Sequence, residues 1–432
     1  MDPCSLCGRT PKRVVQEMGV EARRGQEQFC EVRGCPLMER FKGFTGEDEI
    51  SGDSAYGPSP PSLFVGRHGY PDVHLGPLMT PGEVDEPGLM DEPPSWTDMG
   101  LGDVLAMRSG LIRGNARVEV DQARRISDPT RTMEVTQELA MAAKPAYTEL
   151  SFSREVDVDL TPTLGGFSAP TGPSITLEKA QLAENPRVPR QVDQIVYDTD
   201  AKATTGAWEL YDKGIADYHV QRLLAAGLLG RANDRRFVPT RWSITATDDM
   251  LGKRLIPQVR DRQHLGQPQL FFHELYGNRF HVLLIPGPWE FEMLEAWLVP
   301  KKTPEGQPPG REIKMLQDDE GHEPRTSYAD DITGAYYAAR LAVLEHLTSI
   351  GRQARALVLR EITDDYYAPA GVWVIREAVR HAMGEGPRTP DTVEHALSIV
   401  EAENEIGPDW AANSRLIDEH RHQVQLSAFL DD

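Results

Sequence analysis

Residues 280–286 read FHVLLIP, a continuous run interrupted only by His281 and closed by Pro286. A short apolar stretch ended by proline suits a buried strand. ALVLREI, at 356–362, reads the same way. Between them stands DDITGAYYAARLAVLEHLTSIG, residues 330–351, which opens on acids and ends on Gly351. Acids favour a helix N-terminus and glycine its end, so this segment is expected to be a helix. VWVIREAVRHAM at 372–383 is a helix, or a strand running into one, and Thr389–Pro390 marks a further helix start. Strands and helices mixed in this way predict an α/β (α+β) body.

Towards the N-terminus the pattern is looser. TTGAWELYDKGIADYHVQRLLAAG, 204–227, keeps helical spacing until Gly227 and Gly230. Residues 128–150 suit a helix with Met133, Leu139, Ala140 and Ala143 on one face, and FSREVDVDL at 152–160 alternates like a strand. Residues 46–100 are rich in Pro, Gly and acids and read as loops, with one or two short strands within 60–78. The expected organisation is a Cys4 module at 1–45, an α/β body at 46–300, an exposed insertion at 301–331, a mostly helical domain at 332–420 and a flexible tail at 421–432.

The chain has 432 residues, a net charge of −21 and 39% hydrophobic residues. That length predicts two to three domains with a sizeable core. No apolar run is long enough to cross a bilayer, and the opening MDPCSLCGRT lacks the basic-then-apolar order of a signal peptide, so a cytoplasmic protein without a membrane partner is expected. Lysine is scarce beside arginine and the acids, as on a halophile's surface or that of an ordinary acidic protein. The charge argues against a nucleic-acid partner unless salt is high, where only local charge matters. Motifs H-E-x-x-H, G-x-S-x-G and G-x-x-x-x-G-K-[ST] are absent, which disfavours protease, hydrolase and nucleotide-driven motor readings.

All four cysteines, Cys4, Cys7, Cys30 and Cys35, lie in one short segment. A C-x-x-C pair followed by a C-x-x-x-x-C pair supplies the four thiolates of a structural zinc site. Two disulfides are the alternative, disfavoured in a reducing cytoplasm. A closed site of this kind serves folding, since no position is open to water. Arg9, Lys12, Arg13, Arg23 and Arg24 lie between the pairs, as a solvated face or a phosphate contact.

Two further stretches carry candidate chemistry. In QVDQIVYDTDAKATTGAWELYDKG, residues 191–214, Asp198, Asp200 and Lys202 share a face if the chain is extended there. They could then hold Mg²⁺ or Mn²⁺ and steady a phosphate. Alternatively the stretch is a solvated strand end, or Asp200 caps the next helix. Glu292 and Glu295, in GPWEFEMLEAW at 287–297, are neighbours if helical and would complete a metal-dependent nuclease only if they met the aspartates. In RRFVPTRWSITATDDMLGKRL, 235–255, Arg241 can fork onto phosphate and Trp242 can stack on a base, or Arg241 can pair with Asp248 inside the fold.

The last ten residues, QVQLSAFLDD, place Gln423, Leu426, Phe429 and Leu430 so that one helical turn makes an apolar plug beside a free amide. This pattern resembles the peptide by which replication and repair proteins dock on the sliding clamp (PCNA), although Leu430 stands where a second aromatic is usual. The alternative is an amphipathic helix packed on its own domain. With the cysteine cluster, SPPSLFVGRHGYPDVHLGPL, VPTRWSITATDD, FEMLEAW, GAYYAARLAVLEHL and GVWVIREAVR, the chain resembles the archaeal Nre family of DNA-repair proteins over nearly its whole length. The resemblance implies a role on damaged DNA in association with the clamp and brings no settled catalytic residues. Expected functions are therefore a clamp-tethered repair protein, as a metal-dependent nuclease or as a non-catalytic adaptor binding DNA. An RNA-associated zinc protein is a third reading.

Overall fold

Val73 and Leu75 are fully buried while His74 between them is exposed, so one face of this strand is dry and the other wet. The same alternation recurs along the first half of the chain and builds a one-sided sheet. The computed structural model describes residues 53–124, 131–152, 171–172, 174–301, 310–366 and 368–422. It divides into two compact units, Met1–Leu251 with Tyr367–Trp373, and Gly252–Tyr366 with Val374–Asp432.

In the first unit the strands are β1 (Ser54–Ser59), β2 (Leu63–Val65), β3 (Asp72–Met79), β4 (Ile112–Glu119), β5 (Ala146–Phe152) and β6 (Ser174–Leu182). They form one sheet in the order β1-β5-β6-β4-β3-β2, antiparallel except for the parallel β4–β6 pair. The helices are α1 (Leu101–Ser109), α2 (Arg131–Met141), α3 (Arg190–Tyr197), α4 (Ala203–Asp212), α5 (Asp217–Ala225) and α6 (Thr240–Arg260), whose second half belongs to the other unit. Val73, Leu75, Val118 and Val120 pack against Met133, Ala140, Val220, Leu223 and Phe237 to make the core. The opposite sheet face carries exposed His74, Arg117, Glu149 and Thr176. The outer edge of β1 is covered by the chain after β3, through Thr80 N–H to Pro58 O and Gly82 N–H to Tyr56 O, both 3.0 Å. Gly57 permits that approach, since a Cβ there would stand 2.0 Å from Thr80 O.

In the second unit, β7 (Gln263–His264) pairs with β12 (Arg352–Gln353), and five strands make the main sheet. These are β8 (Gln269–Leu275), β9 (Asn278–Ile285), β10 (Glu290–Lys301), β11 (Gly310–Glu320) and β13 (Arg355–Ile362), ordered β11-β10-β13-β9-β8. Strand β13 runs parallel to β10 and antiparallel to β9, and all eight of its residues are buried. The hairpin β8–β9 turns on Tyr276 and Gly277, with φ of 55° and 72° as a two-residue type I′ turn requires. Helices α7 (Gly334–Ile350), α8 (Trp373–Glu385), α9 (Val393–Glu403), α10 (Asp409–Ala412) and α11 (Arg415–His422) complete the unit. On one face Leu283, Leu294, Leu357 and Leu359 bury Val393, Leu397, Trp410, Leu416 and Ile417 of the last helices. On the other, Phe291 meets Tyr336 of α7 edge-on at 5.1 Å.

The mixed α/β class is as expected, and five local readings are corrected. Residues 53–100 hold, besides the two strands expected within 60–78, a third at Ser54–Ser59 where a loop was expected. The helix expected over 128–150 ends at Met141 and gives way to β5, and the one expected over 204–227 is two helices broken at Gly214, whose φ is 84°. Residues 310–320, read as part of an exposed insertion, pair with β10 along their length. Segment 332–420 supplies β13, the middle strand of a sheet otherwise built before it, so it is not a helical domain of its own. Among the described residues no helix is long and apolar enough to cross a membrane.

Each unit buries a histidine. Burial, aided by Arg222, holds His219 down to about 3. Burial likewise lowers His281 to about 4, against the opposing pull of Glu403. Both are neutral when folded, whereas the unfolded chain protonates them near pH 6.5. Their stabilisation is complete above that value and is lost as pH falls towards the folded values. Urea unfolding between pH 7 and 5 is expected to show each unit losing up to about 1.4 kcal/mol per pH unit from its histidine. His219→Gln should flatten the slope of the first unit only, and His281→Gln that of the second.

Candidate nucleic-acid interface

The turn between β2 and β3 reads GRHGYP, residues 66–71, and its backbone is closed on itself. Gly66 N–H donates to His74 O at 2.8 Å and Asp72 N–H to Gly69 O at 2.9 Å. Gly69 has φ of 85°, and a Cβ there would lie 2.8 Å from Asp72 O, so the tight turn favours glycine. Arg67, His68 and Tyr70 are thereby left exposed. The start of α6 is tied to the same place, since Val65 N–H donates to Thr240 Oγ1 at 2.9 Å. Trp242, in the first turn of α6, then meets Tyr70 with ring centres 5.2 Å apart and planes tilted by 55°. Each of the two residues is 45% exposed.

Arginine-bearing segments are joined to the chain next to this pair. Val120 N–H donates to Pro71 O and Phe237 N–H to Val120 O, each at 3.0 Å, which brings three chain segments together. Asp121 Oδ1 there accepts from both Arg124 and Arg236 at 3.1 Å. Arg117, with a side chain 72% exposed, pairs with Asp72 at 3.0 Å. With Arg67 and Arg241, near the two aromatic residues in sequence, five arginines and the acids Asp72, Glu119 and Asp121 belong to these joined segments, in a chain whose net charge is −21. Exposed ion pairs of this kind contribute about 0–1 kcal/mol each, so a phosphate can displace the carboxylate at little expense. Arginine forks onto phosphate oxygens and aromatic rings stack on bases, so the patch can hold a nucleic-acid strand.

Of the residues singled out from sequence, Trp242 and Arg241 fall in this patch. Tyr70, Arg67, Arg117, Arg124 and Arg236 were missed as site residues, although GRHGYP stood within a stretch already noted. The metal-site candidates are not brought together. Asp198, Asp200 and Lys202 are not on a strand: they lie in the turn between α3 and α4, where Asp198 Oδ1 accepts from the N–H of Asp200 at 3.0 Å and of Ala201 at 3.1 Å. Lys202 takes the N-cap position of α4, so Asp200 does not cap that helix. Glu292 and Glu295 lie on strand β10, not on a helix, and point to opposite faces.

Both glutamates are occupied. Glu295 accepts from Arg360 at 2.6 Å, and Arg360 also donates twice to Asn278 Oδ1. Glu292 is fully buried and accepts from Ser414 Oγ at 2.6 Å, Arg415 N–H at 2.8 Å, Leu416 N–H at 3.0 Å and the Gln317 amide. It caps α11 together with Ser414, whose Oγ accepts from Ile417 N–H at 3.2 Å. Burial raises its pKa, while the hydrogen bonds oppose the shift. Among the described residues no group of three or more His, Cys, Asp or Glu stands together as a metal site. Cys4, Cys7, Cys30 and Cys35, and the tail residues Gln423, Leu426, Phe429 and Leu430, lie outside the described residues.

Comparison with known proteins bears on the whole chain. Residues 29–302 match the family model described as archaeal Nre, N-terminal, and residues 320–429 the one described as archaeal Nre, C-terminal. The chain belongs to the archaeal Nre family. It is 37% identical over 371 residues to DNA repair protein NreA of Haloferax volcanii, covering 84% of this chain and 86% of that one. It is 34% identical over 402 residues to DNA repair protein NreB of Archaeoglobus fulgidus, covering 92% and 96%, and 35% identical over 387 residues to NreA of the same organism, covering 89% and 93%. No solved structure matches the chain. The two Nre family regions meet between residues 302 and 320, whereas the compact units divide at Leu251, because strands from both regions share one sheet.

Removing the Glu292 carboxylate strands several buried donors, each worth about 1–3 kcal/mol. Glu292→Ala is therefore expected to destabilise the second unit by about 3 kcal/mol or more and to speed amide exchange across 414–422, whereas Glu292→Gln should lose less. Exchange mass spectrometry checks this, and unchanged protection of α11 in the alanine variant would contradict the capping role.

Proposed function

We propose that this chain acts in DNA repair as a DNA-binding adaptor tethered to the sliding clamp. The observation carrying the DNA part is the exposed Tyr70–Trp242 pair, on joined segments that carry five arginines in a strongly acidic chain. The repair part is supported by relatives that bear the name DNA repair protein over most of their length. The clamp part is supported by the spacing of Gln423, Leu426, Phe429 and Leu430, which directly follows α11. Cys4, Cys7, Cys30 and Cys35 supply the donors of a structural zinc site in this reading. The adaptor reading has more support than a metal-dependent nuclease because Asp198, Glu292 and Glu295 each serve a turn, a helix cap or a buried arginine.

Titration calorimetry of the full chain against the sliding clamp of its host tests the tether. Association is expected, with Leu426→Ala/Phe429→Ala weakening it at least about a hundredfold, since two apolar anchors leave the pocket. Unchanged heat in that variant would end the clamp reading. Elemental analysis should find about one zinc per chain, lost in Cys4→Ser/Cys7→Ser. Incubation with branched or damaged DNA and Mn²⁺ or Mg²⁺ separates the two repair readings: cleavage lost on Asp200→Ala would restore the nuclease.

A further inference from the structure

We propose that the Tyr70–Trp242 pair is a stacking platform for unpaired bases, so that the patch takes single-stranded DNA in preference to duplex. This rests on the DNA-binding reading and narrows it. Large apolar side chains more than a third exposed are few among the described residues, and here two of them touch. Exposed aromatic surface is unfavourable in water, and nothing among the described residues covers it. In a duplex the base faces are already stacked on one another, so rings lying beside the backbone gain little from them. In a single strand every base has an open π-face, and stacking is tolerant of sequence.

The charges around the pair point the same way. Asp72 and Asp121 engage three of the five arginines, so the electrostatic pull on phosphates is modest. Binding to duplex relies on counterion release by many cations and fades steeply with salt. A small cationic set with two aromatic rings instead suits a strand held at several phosphates and stacked at one or two bases. Asp121 serves to hold Arg124 and Arg236 side by side, and the closed GRHGYP turn fixes Tyr70 where Trp242 meets it. The platform is thus preformed, which spares part of the ordering entropy that a flexible loop would lose on binding.

Fluorescence anisotropy with the full chain, a labelled oligothymidylate of about twelve nucleotides and a blunt duplex of equal length tests the proposal. The single strand is expected to bind at least about tenfold more tightly than the duplex. Trp242→Ala and Tyr70→Ala should each weaken single-strand binding about tenfold, bringing the ratio near one, while Trp242→Phe keeps most of it. Thermal unfolding of each variant confirms that the fold is retained. Arg124→Gln/Arg236→Gln should lower the salt dependence for both ligands. Equal affinity for strand and duplex, or unchanged single-strand affinity in Trp242→Ala, would overturn stacking while leaving DNA binding intact. Failure of both ligands to bind would overturn the parent reading with it.

Discussion

Strand β13 can be laid down only between β10 and β9, and the second unit is organised by that insertion. Its neighbours precede it in the chain, and it is buried on both faces, so its side chains need two layers of helices. Leu357 and Leu359 meet α9 to α11 on one side. Arg360 turns the other way, to Glu295 and Asn278. Glu361 fastens the chain after α9, accepting from Glu405 N–H at 2.6 Å and pairing with Arg279 at 3.2 Å. A single strand therefore fixes sheet order, helix placement and the register of buried charges. The end of the first Nre family region, from Gly252 onward, and the second region accordingly share one sheet here.

Buried charges recur through both units as paired sets. Arg340 meets Glu320 at 2.7 Å with both side chains almost fully covered, and Asp91 meets Arg108 at 3.0 Å. Burial raises the Asp91 carboxyl while Arg108 and Arg222 pull it down. Such pairs add little net stability against an apolar replacement, but a lone survivor of a broken pair is strongly unfavourable. They penalise misregistered arrangements more than they strengthen the native one. Glu295, one of the carboxylates that looked catalytic in sequence, belongs to this group through Arg360, whereas Glu292 is held by neutral donors.

Legibility followed regularity. Helix α7, strands β9 and β13 and the end at Gly351 were read correctly because their apolar content and stop signals are strong. Strand β11 was not, since it is an edge strand and its exposed Glu312, Ile313 and Lys314 show no alternation. The Asp198–Lys202 stretch stood open between a strand face and a helix cap because Asp198 satisfies its own neighbours' N–H groups, a turn device that composition does not display. Trp242 was noted for its chemistry alone. Tyr70 and the arginines of 117, 124 and 236 belong with it only through backbone bonds between distant segments, and no local pattern reports those.

The seating of α11 on Glu292 has a mechanical meaning. A pull on the carboxyl end of the chain passes first to α11, and from there to β10 through one carboxylate and the apolar contacts of Leu416 and Ile417. Strand β10 is held along its length by β11 on one side and β13 on the other, so the load is spread as shear over two rows of backbone hydrogen bonds. Tension on this end is thereby borne by the main sheet of the second unit.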